Sequence, residues 1–112
     1  MAKEPQLINP DIHFKVLNIL DENPNITQRG LAYKLDISLG GVNYCLKALI
    51  SIGHIKVSNF KKNSNKSVYL YLLTPKGLVE KTNLTTGFLK RKMAEYHSLK
   101  DEIKSIKSKL KI

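Results

Sequence analysis

The sequence predicts an α+β chain that is mainly helical, with three short helices, a β-hairpin and a long C-terminal helix. Three observations predict this order. Apolar residues recur every three or four positions between residues 12 and 50, as in amphipathic helices. The pattern then changes to alternation in residues 55–60 and 68–72, which is typical of half-buried strands. Helical spacing returns after residue 74 and continues to residue 110.

Length and charge limit the class of protein. A chain of 112 residues allows one domain with a small appendage. Nineteen Lys and Arg residues against nine Asp and Glu give a formal net charge of +10, which indicates a polyanionic partner such as nucleic acid or an anionic membrane. No apolar run approaches the roughly 18 residues that span a bilayer, and the N-terminus lacks the pattern of a signal peptide. We therefore expect a cytoplasmic protein.

The first helix is expected to begin at Asn9 and Pro10, because an amide side chain caps a helix start and proline suits the first turn. It should end near Glu22, before the turn-forming Asn23-Pro24-Asn25. Residues 1–8 precede it as a flexible N-terminal arm.

The second and third helices are predicted to form a helix-turn-helix. Thr27 can cap the second helix, and the link from Leu35 to Ser38 is short, as this motif requires. Ser38 can cap the third helix, and Gly53 tolerates the left-handed conformation that follows a helix end. The apolar stripe of the third helix consists of Val42, Leu46, Leu49 and Ile50.

The other side of the third helix is polar and small, and we interpret it as the side that enters the DNA major groove. Asn, Tyr and Lys side chains can bond base edges and phosphates. Two glycines inside a helix cost about 1 kcal/mol each relative to alanine. Either helix packing or close approach of DNA offsets that cost at Gly41, whereas the DNA explanation is preferred at Gly40. The candidate DNA-binding residues of both helices are Thr27, Gln28, Arg29, Ser38, Gly40, Gly41, Asn43, Tyr44 and Lys47.

A β-hairpin with a basic tip is predicted after the third helix. Residues 61–67 are rich in turn formers and carry Lys61, Lys62 and Lys66. A solvated loop would explain such a tip by itself. Directly after a helix-turn-helix, however, the three lysines are predicted to form a wing that lies along the DNA backbone or over the minor groove.

Thr74 and Pro75 mark the start of the last helix, as a cap and a first-turn proline. The stretch from Thr82 to Gly87 is poor in helix formers, so a bend or break is expected there. Beyond it, apolar residues are spaced as in the seam of a coiled coil, although only about two heptads are regular. The predicted dimerisation residues are Phe88, Leu89, Tyr96, Leu99, Ile103, Ile106 and Leu110.

This organisation gives an arm (residues 1–8), a DNA-binding domain (residues 9–81) and a C-terminal dimerisation helix (residues 82–112). Two other interpretations of the last helix remain open. It could fold back on its own domain, or it could lie on a membrane surface, although it lacks the Trp and Phe residues of a helix that inserts.

Neither catalysis nor a cofactor is expected. Cys45 is the only cysteine, so the chain can form neither an intramolecular disulfide nor a cysteine cluster for zinc. We expect Cys45 to be a small half-buried apolar residue rather than a redox sensor. The histidines His13, His54 and His97 are scattered, and the sequence has no phosphate-binding glycine loop.

Several short motifs resemble those of MarR-type winged helix-turn-helix transcriptional regulators of bacteria. They are Ile26–Ala32, Leu35–Ser38, Val42–Leu49, Gly53–Ile55 and Leu73–Gly77. The Tyr-Leu-Leu-Thr-Pro-Lys-Gly stretch is similar to that of the small MarR-like regulators associated with exopolysaccharide (EPS) gene clusters. The resemblance implies a homodimer on a pseudo-palindromic operator in double-stranded DNA.

The chain also departs from the MarR pattern. The hairpin lacks the Asp-x-Arg arrangement common in MarR wings, and the chain is shorter than typical members, which dimerise through helices from both ends. A ligand pocket is therefore not assumed, and the sequence leaves open whether a small-molecule effector binds. Two alternatives to a specific regulator remain: a winged-helix module that binds another protein, and a nonspecific nucleoid or RNA-binding protein.

Overall fold

The computed structural model describes residues 8–63 and 66–111, and it describes side chains in these ranges except at positions 60–68. This part of the chain contains four helices and one antiparallel two-stranded sheet, as predicted. The elements are α1 (Pro10–Glu22), α2 (Gln28–Leu35), α3 (Leu39–Ser51), β1 (Ile55–Asn63), β2 (Lys66–Leu73) and α4 (Pro75–Leu110). The mainly helical winged-helix architecture with a long C-terminal helix is therefore confirmed.

Each helix begins at a capping side chain. The Asn9 side chain accepts a hydrogen bond from the backbone N–H two residues later, at 2.8 Å. Thr27, Ser38 and Thr74 each accept one from the N–H three residues later, at 2.9, 3.0 and 3.0 Å. These bonds satisfy N–H groups that have no partner inside a helix, so the predicted caps fix all four helix starts.

The hydrophobic core lies between α1, α2, α3 and the start of β1. Ile8 is only 9% exposed and packs in this core, so it belongs to the folded domain rather than to the predicted arm. Residues 1–7, the rest of that arm, lie outside the described residues. The buried residues are Ile8, Val16, Leu17, Leu20, Leu31, Leu35, Val42, Cys45, Leu46, Ala48, Leu49 and Ile55.

One residue of the predicted α3 stripe is misplaced. Ile50 is 38% exposed, whereas Val42 and Leu49 are fully buried. The buried face extends instead through Cys45 and Ala48. A single step along a helix turns the side chain by about 100°, which carries Ile50 away from the core that Leu49 faces.

The hairpin is docked on the helical domain. Its strands pair in antiparallel register from Ile55 opposite Leu73 to Phe60 opposite Val68, with an irregularity between Lys61 and Asn63. In addition, the Tyr71 N–H donates to the Pro24 carbonyl in the α1–α2 loop at 2.9 Å. The hairpin is therefore held to the helices by its second strand as well as by its connection to α3.

The predicted bend at residues 82–87 is wrong, because α4 runs unbroken through this stretch. Packing outweighs the weak helix propensity there: Leu84 packs on the core, and the Phe88 ring stacks on Phe14 at a centroid distance of 4.4 Å. The hydroxyls of Thr82 and Thr85 donate to backbone carbonyls one turn earlier, so both polar groups are satisfied within the helix.

Beyond these contacts α4 projects from the domain, and every residue from 89 to 111 is exposed. The helix also carries the Arg91 side chain back to α1, where it pairs with Asp11. In the described part of the chain, no helix is both long enough and apolar enough to cross a membrane.

Candidate nucleic-acid interface

The two sides of α3 differ in exposure and chemistry. Val42 and Leu49 on one side are fully buried in the core. On the other side Lys47 is exposed, the Tyr44 side chain is 57% exposed, and Asn43 is half-buried. The open side thus places an amide, a phenol and a cation on two helical turns. These are groups that contact base edges and phosphates in protein–DNA complexes.

The two glycines of α3 have different surroundings. A Cβ atom added at Gly41 would lie 3.2 Å from the Ser38 hydroxyl oxygen and 3.6 Å from Ile37. Gly41 therefore accommodates the cap and the turn before α3. A Cβ added at Gly40 would meet only the Ser38 hydroxyl, at 4.0 Å. Nothing described in the chain requires a glycine at position 40, so its small size remains free for the close approach of a partner.

The hydroxyls of Thr27 and Ser38 sit at the exposed starts of α2 and α3. Each oxygen accepts the capping bond, which leaves the hydroxyl hydrogen able to donate to a phosphate. Arg29 is exposed in the first turn of α2. Gln28 is different, because its amide donates to the Tyr71 hydroxyl at 3.1 Å and helps to hold the hairpin.

Two exposed residues near this surface were missed in the sequence. Tyr33 on α2 is 88% exposed and lies one turn after Arg29 on the same face. Leu39, the first residue of α3, is 45% exposed and precedes Asn43 by one turn. The signal for Tyr33 was its position outside the buried stripe of α2. Leu39 gave no such signal, because leucine at a helix start is commonly buried.

The predicted wing lysines fall at the paired ends of the hairpin. In the backbone register, Lys61 lies opposite Ser67, and Lys66 opposite Asn63. The side chains of Lys61, Lys62 and Lys66 lie outside the described residues. The strand β1 begins only four residues after α3 ends, so the hairpin starts beside the C-terminal end of α3.

The Leu-Thr-Pro-Lys-Gly motif joins α4 to the end of α3. Thr74 donates through its backbone N–H to the carbonyl of residue 54 at 3.0 Å, and through its hydroxyl to that of residue 53. Lys76 donates to the carbonyl of residue 52 at 3.0 Å. A Cβ at Gly77 would lie 2.0 Å from the residue 54 carbonyl oxygen. The motif therefore neutralises and covers the partly negative C-terminal end of α3.

A pair of histidines connects α1 to the segment that follows α3. His13 Nε2 and His54 Nδ1 are 3.0 Å apart, and the two rings stack with centroids at 5.1 Å. Burial lowers the pKa of His13, and the charge of His54 lowers it further, while Glu80 raises it. Burial also lowers the pKa of His54, against an opposing effect of Glu80 and a further lowering by Lys76. Burial thus favours the neutral form of both rings, in which one ring nitrogen can donate to the other.

Neither a reactive thiol nor a metal site is found near this surface among the described residues. Cys45 is buried in the core rather than half-buried as expected, and burial raises the pKa of its thiol, which favours the unreactive protonated form. Within residues 8–63 and 66–111, no three His, Cys, Asp or Glu side chains gather closely enough to hold a metal ion.

Comparisons with known proteins identify similar domains and folds. Residues 10–56 match a family described as winged helix-turn-helix DNA-binding. A search of curated proteins found no significant match. Among solved structures, ZitR of Lactococcus lactis in complex with DNA is similar, with a TM-score of 0.63 and 26% sequence identity. That match covers 98% of this chain and 76% of ZitR.

Two further solved structures share the fold at lower identity. The adhesin competence repressor AdcR of Streptococcus pyogenes has a TM-score of 0.64 and 20% identity, over 88% of this chain and 69% of AdcR. A Mycobacterium tuberculosis MarR-family protein in complex with salicylic acid has a TM-score of 0.62 and 18% identity, over 88% and 75% of the two chains. The similarity thus extends well beyond the matched domain into the long C-terminal helix.

Proposed function

We propose that this chain is a transcriptional regulator that binds its operator sequence-specifically, as a homodimer. The match of residues 10–56 to a winged helix-turn-helix DNA-binding family and the similarity to solved MarR-family regulators support this proposal. The operator is a pseudo-palindrome whose half-sites lie about one helical turn apart, or a multiple of it. A regulator of this kind acts on chromosomal DNA, so we place it in the cytoplasm.

The observation that carries the proposal is the two-sided character of α3. Its apolar side is buried in the domain, so the side with Asn43, Tyr44 and Lys47 is left for another molecule. This polar side, the exposed Arg29 on α2 and the large positive charge of the chain suit a polyanion with readable base edges.

The exposed C-terminal half of α4 supports the homodimer. Apolar side chains cover one of its sides, and none of them is less than 45% exposed: Leu89, Met93, Tyr96, Leu99, Ile103, Ile106 and Leu110. The first of the predicted dimerisation residues, Phe88, instead stacks on Phe14 within its own chain. The dimerisation surface therefore begins after Phe88.

EPS gene clusters are the first operators to test, because of the resemblance of the Tyr-Leu-Leu-Thr-Pro-Lys-Gly stretch. That stretch itself makes structural contacts at the end of α3, so it supports the fold more directly than the identity of the regulated genes. The operator sequence that the protein recognises would be determined by the side chains on the open side of α3.

A zinc-responsive mechanism is not part of the proposal. Solved structures of Lactococcus lactis ZitR are described as those of a zinc-responsive MarR family member, at 24% identity to this chain. Glu80 is near enough to affect the pKa of both His13 and His54, but in the described ranges these side chains do not gather closely enough to hold a metal ion. Protein zinc sites use at least three protein ligands, so these residues do not fit a zinc site.

The test is selection of bound sites from a random duplex pool, followed by titration of the selected duplex at several salt concentrations. We expect one enriched sequence with two inverted half-sites. If six to eight phosphates are neutralised, the log-log slope of affinity against salt should be about −5 to −7. A flat salt dependence, or no enriched sequence, would overturn the proposal; the second result would indicate a nonspecific nucleoid protein instead.

A further inference from the structure

We propose that the C-terminal half of α4 pairs with the same helix of a second copy, parallel and in register, as a short two-stranded coiled coil. The inference rests on the proposed homodimer and specifies its geometry. It is carried by the charged residues that flank the apolar side chains of α4, together with the exposure of those side chains.

The pairing surface, which we call the seam, consists of Tyr96, Leu99, Ile103, Ile106 and Leu110. These residues are separated by three, four, three and four positions, as are the core positions of a coiled coil. Their side chains are 57, 55, 45, 49 and 65% exposed, so their own chain leaves them uncovered.

The seam lies on a different side of α4 from the contacts with its own domain. Leu84, Phe88 and Arg91 face that domain, at spacings of four and three. Leu89 and Tyr96 point elsewhere and are both 57% exposed. A second helix can therefore reach the seam without displacing the packing on α1.

Glu95, Glu102 and Lys109 flank the seam on one side, and Lys100 and Lys107 flank it on the other. In a parallel in-register pair, each glutamate on the first flank lies beside the residue of the partner helix whose number is higher by five. Glu95 then faces the partner's Lys100, and Glu102 faces the partner's Lys107. By symmetry this gives four attractive pairs and no repulsive one.

An antiparallel pair would use the same apolar side chains but would bring other charges together. Residues of the same flank then face each other, which places Lys100 beside the partner's Lys107. Glu102 would meet the partner's Lys109, so two repulsions would offset two attractions. The charge pattern therefore selects the parallel arrangement, in the way that flanking charges set orientation in coiled coils.

The seam is short, which makes the flanking charges important. Lys92 occupies the core position one turn before Tyr96 and one heptad before Leu99, so the regular part covers only about two heptads. Glu95 contacts Lys92 on its own helix at 3.0 Å, with both side chains largely exposed and free to exchange partners. A helix pair of this length is marginal on apolar contacts alone.

A parallel pair has a direct consequence for DNA binding. Both winged-helix domains would lie at the same end of the coiled coil, related by a two-fold axis along it. Because α4 starts on the carbonyls that end α3, the two α3 helices would be held at a fixed separation. Such an arrangement matches inverted half-sites.

The first experiment uses two charge reversals on the full chain, K100E with K107E, and E95K with E102K. In the parallel dimer each reversal replaces attraction by repulsion, so each variant alone should sediment as a monomer at concentrations where the wild type is a dimer. An equimolar mixture should recover the dimer. The control, K104E with K111E, changes the net charge as K100E with K107E does but lies on the outer side, and should remain a dimer.

The antiparallel arrangement predicts another result. There K100E with K107E replaces one like-charge contact by another, so this variant would remain a dimer and overturn the proposal. A second test needs no change in the flanking charges. A Gly-Gly-Cys extension after Ile112 in a Cys45→Ala background should form an intermolecular disulfide, because only parallel pairing brings the two C-termini together.

Failure of this inference can be separated from failure of the proposed function. If the domain binds DNA, the monomeric variants should still bind a half-site, at least tenfold more weakly than the wild type binds the full site. A wild type that cross-links as expected but binds no duplex would overturn the proposed function alone. A wild-type monomer that binds one half-site would overturn the coiled coil and leave the DNA-binding surface standing.

Discussion

Both α3 and the second half of α4 are amphipathic helices, but each leaves a different side open. In α3 the apolar side is buried, with Leu49 fully covered, and polar groups face outward. In α4 beyond Phe88 the apolar side itself is uncovered, and Ile103 is 45% exposed. The open polar side suits a polyanion, whereas the open apolar side suits another apolar helix. The same kind of sequence pattern thus indicates opposite partners, depending on which side the domain has already used.

The sharpest test of this comparison makes the same substitution on the two helices. Leu49→Ala removes buried methyl groups from the core, so it should lower the free energy of unfolding by about 2–5 kcal/mol. Leu99 is 55% exposed, so Leu99→Ala should leave unfolding of the domain nearly unchanged and should weaken dimerisation instead. Urea denaturation and sedimentation of both variants measure the two effects. Equal losses of domain stability would show that α4 packs on its own chain.

A second pair of variants compares two glycines. Gly77→Ala drives a Cβ atom into the His54 carbonyl, 2.0 Å away, and should cost at least about 1–3 kcal/mol of stability. A Cβ in Gly40→Ala would meet only the Ser38 hydroxyl, at 4.0 Å, so this change should stabilise α3 by up to about 1 kcal/mol. If DNA approaches Gly40 closely, the same change should weaken operator binding. Thermal unfolding and a binding titration check both expectations, and unchanged affinity of Gly40→Ala would indicate that DNA does not come near it.

A third comparison concerns base reading and backbone contact. Replacing Asn43 or Tyr44 by alanine should reduce discrimination between the operator and a mutated duplex by about 1–3 kcal/mol. Replacing Lys61 and Lys62 together should weaken all duplexes alike and reduce the salt slope by about 2. Competition titrations with the two duplexes separate these outcomes. If both changes alter affinity in the same way, α3 and the wing do not divide the work as proposed.

The smallest expected effect lies at the pair of His13 and His54, of which His54 is buried and His13 half-buried. Because folding lowers the pKa of both His13 and His54, the unfolded chain takes up protons more readily. The free energy of unfolding should be unaffected by this pair above the ordinary pKa of histidine. It should decrease as the pH falls below that pKa. His13→Gln should flatten this dependence between pH 7 and pH 5, about the histidine range. His97→Gln, on the exposed part of α4, is the control for removing a histidine outside this pair.

Local signals in the sequence were sufficient for the elements and their starts. The caps Thr27, Ser38 and Thr74 act over three residues, so their roles can be read without knowing the fold. The continuity of α4 could not be read this way. It depends on Phe88 meeting Phe14, two residues far apart in sequence, and such tertiary contacts override weak helix propensity.

The candidate site was predictable in outline and less so in detail. The open side of α3 followed from periodicity, which also showed that Tyr44 and Lys47 oppose Val42. Periodicity could not show that the Gln28 amide is bound to Tyr71, because that bond joins an α2 residue to the hairpin. Nor could it separate Gly40 from Gly41, since the difference lies in the distance to Ser38 and Ile37.

The unbroken course of α4 has a consequence for how such a chain can change in length. A rod without a joint connects the end of α3 to the seam, so each residue added or removed near position 92 would rotate the DNA-binding domain by about 100° about the rod axis. An insertion of seven residues would nearly restore the orientation of the domain about the rod axis. In the proposed dimer, an insertion of one or two residues would turn the two domains away from a common face of the double helix. In the proposed dimer, the length of this rod would therefore contribute to operator choice together with the side chains of α3.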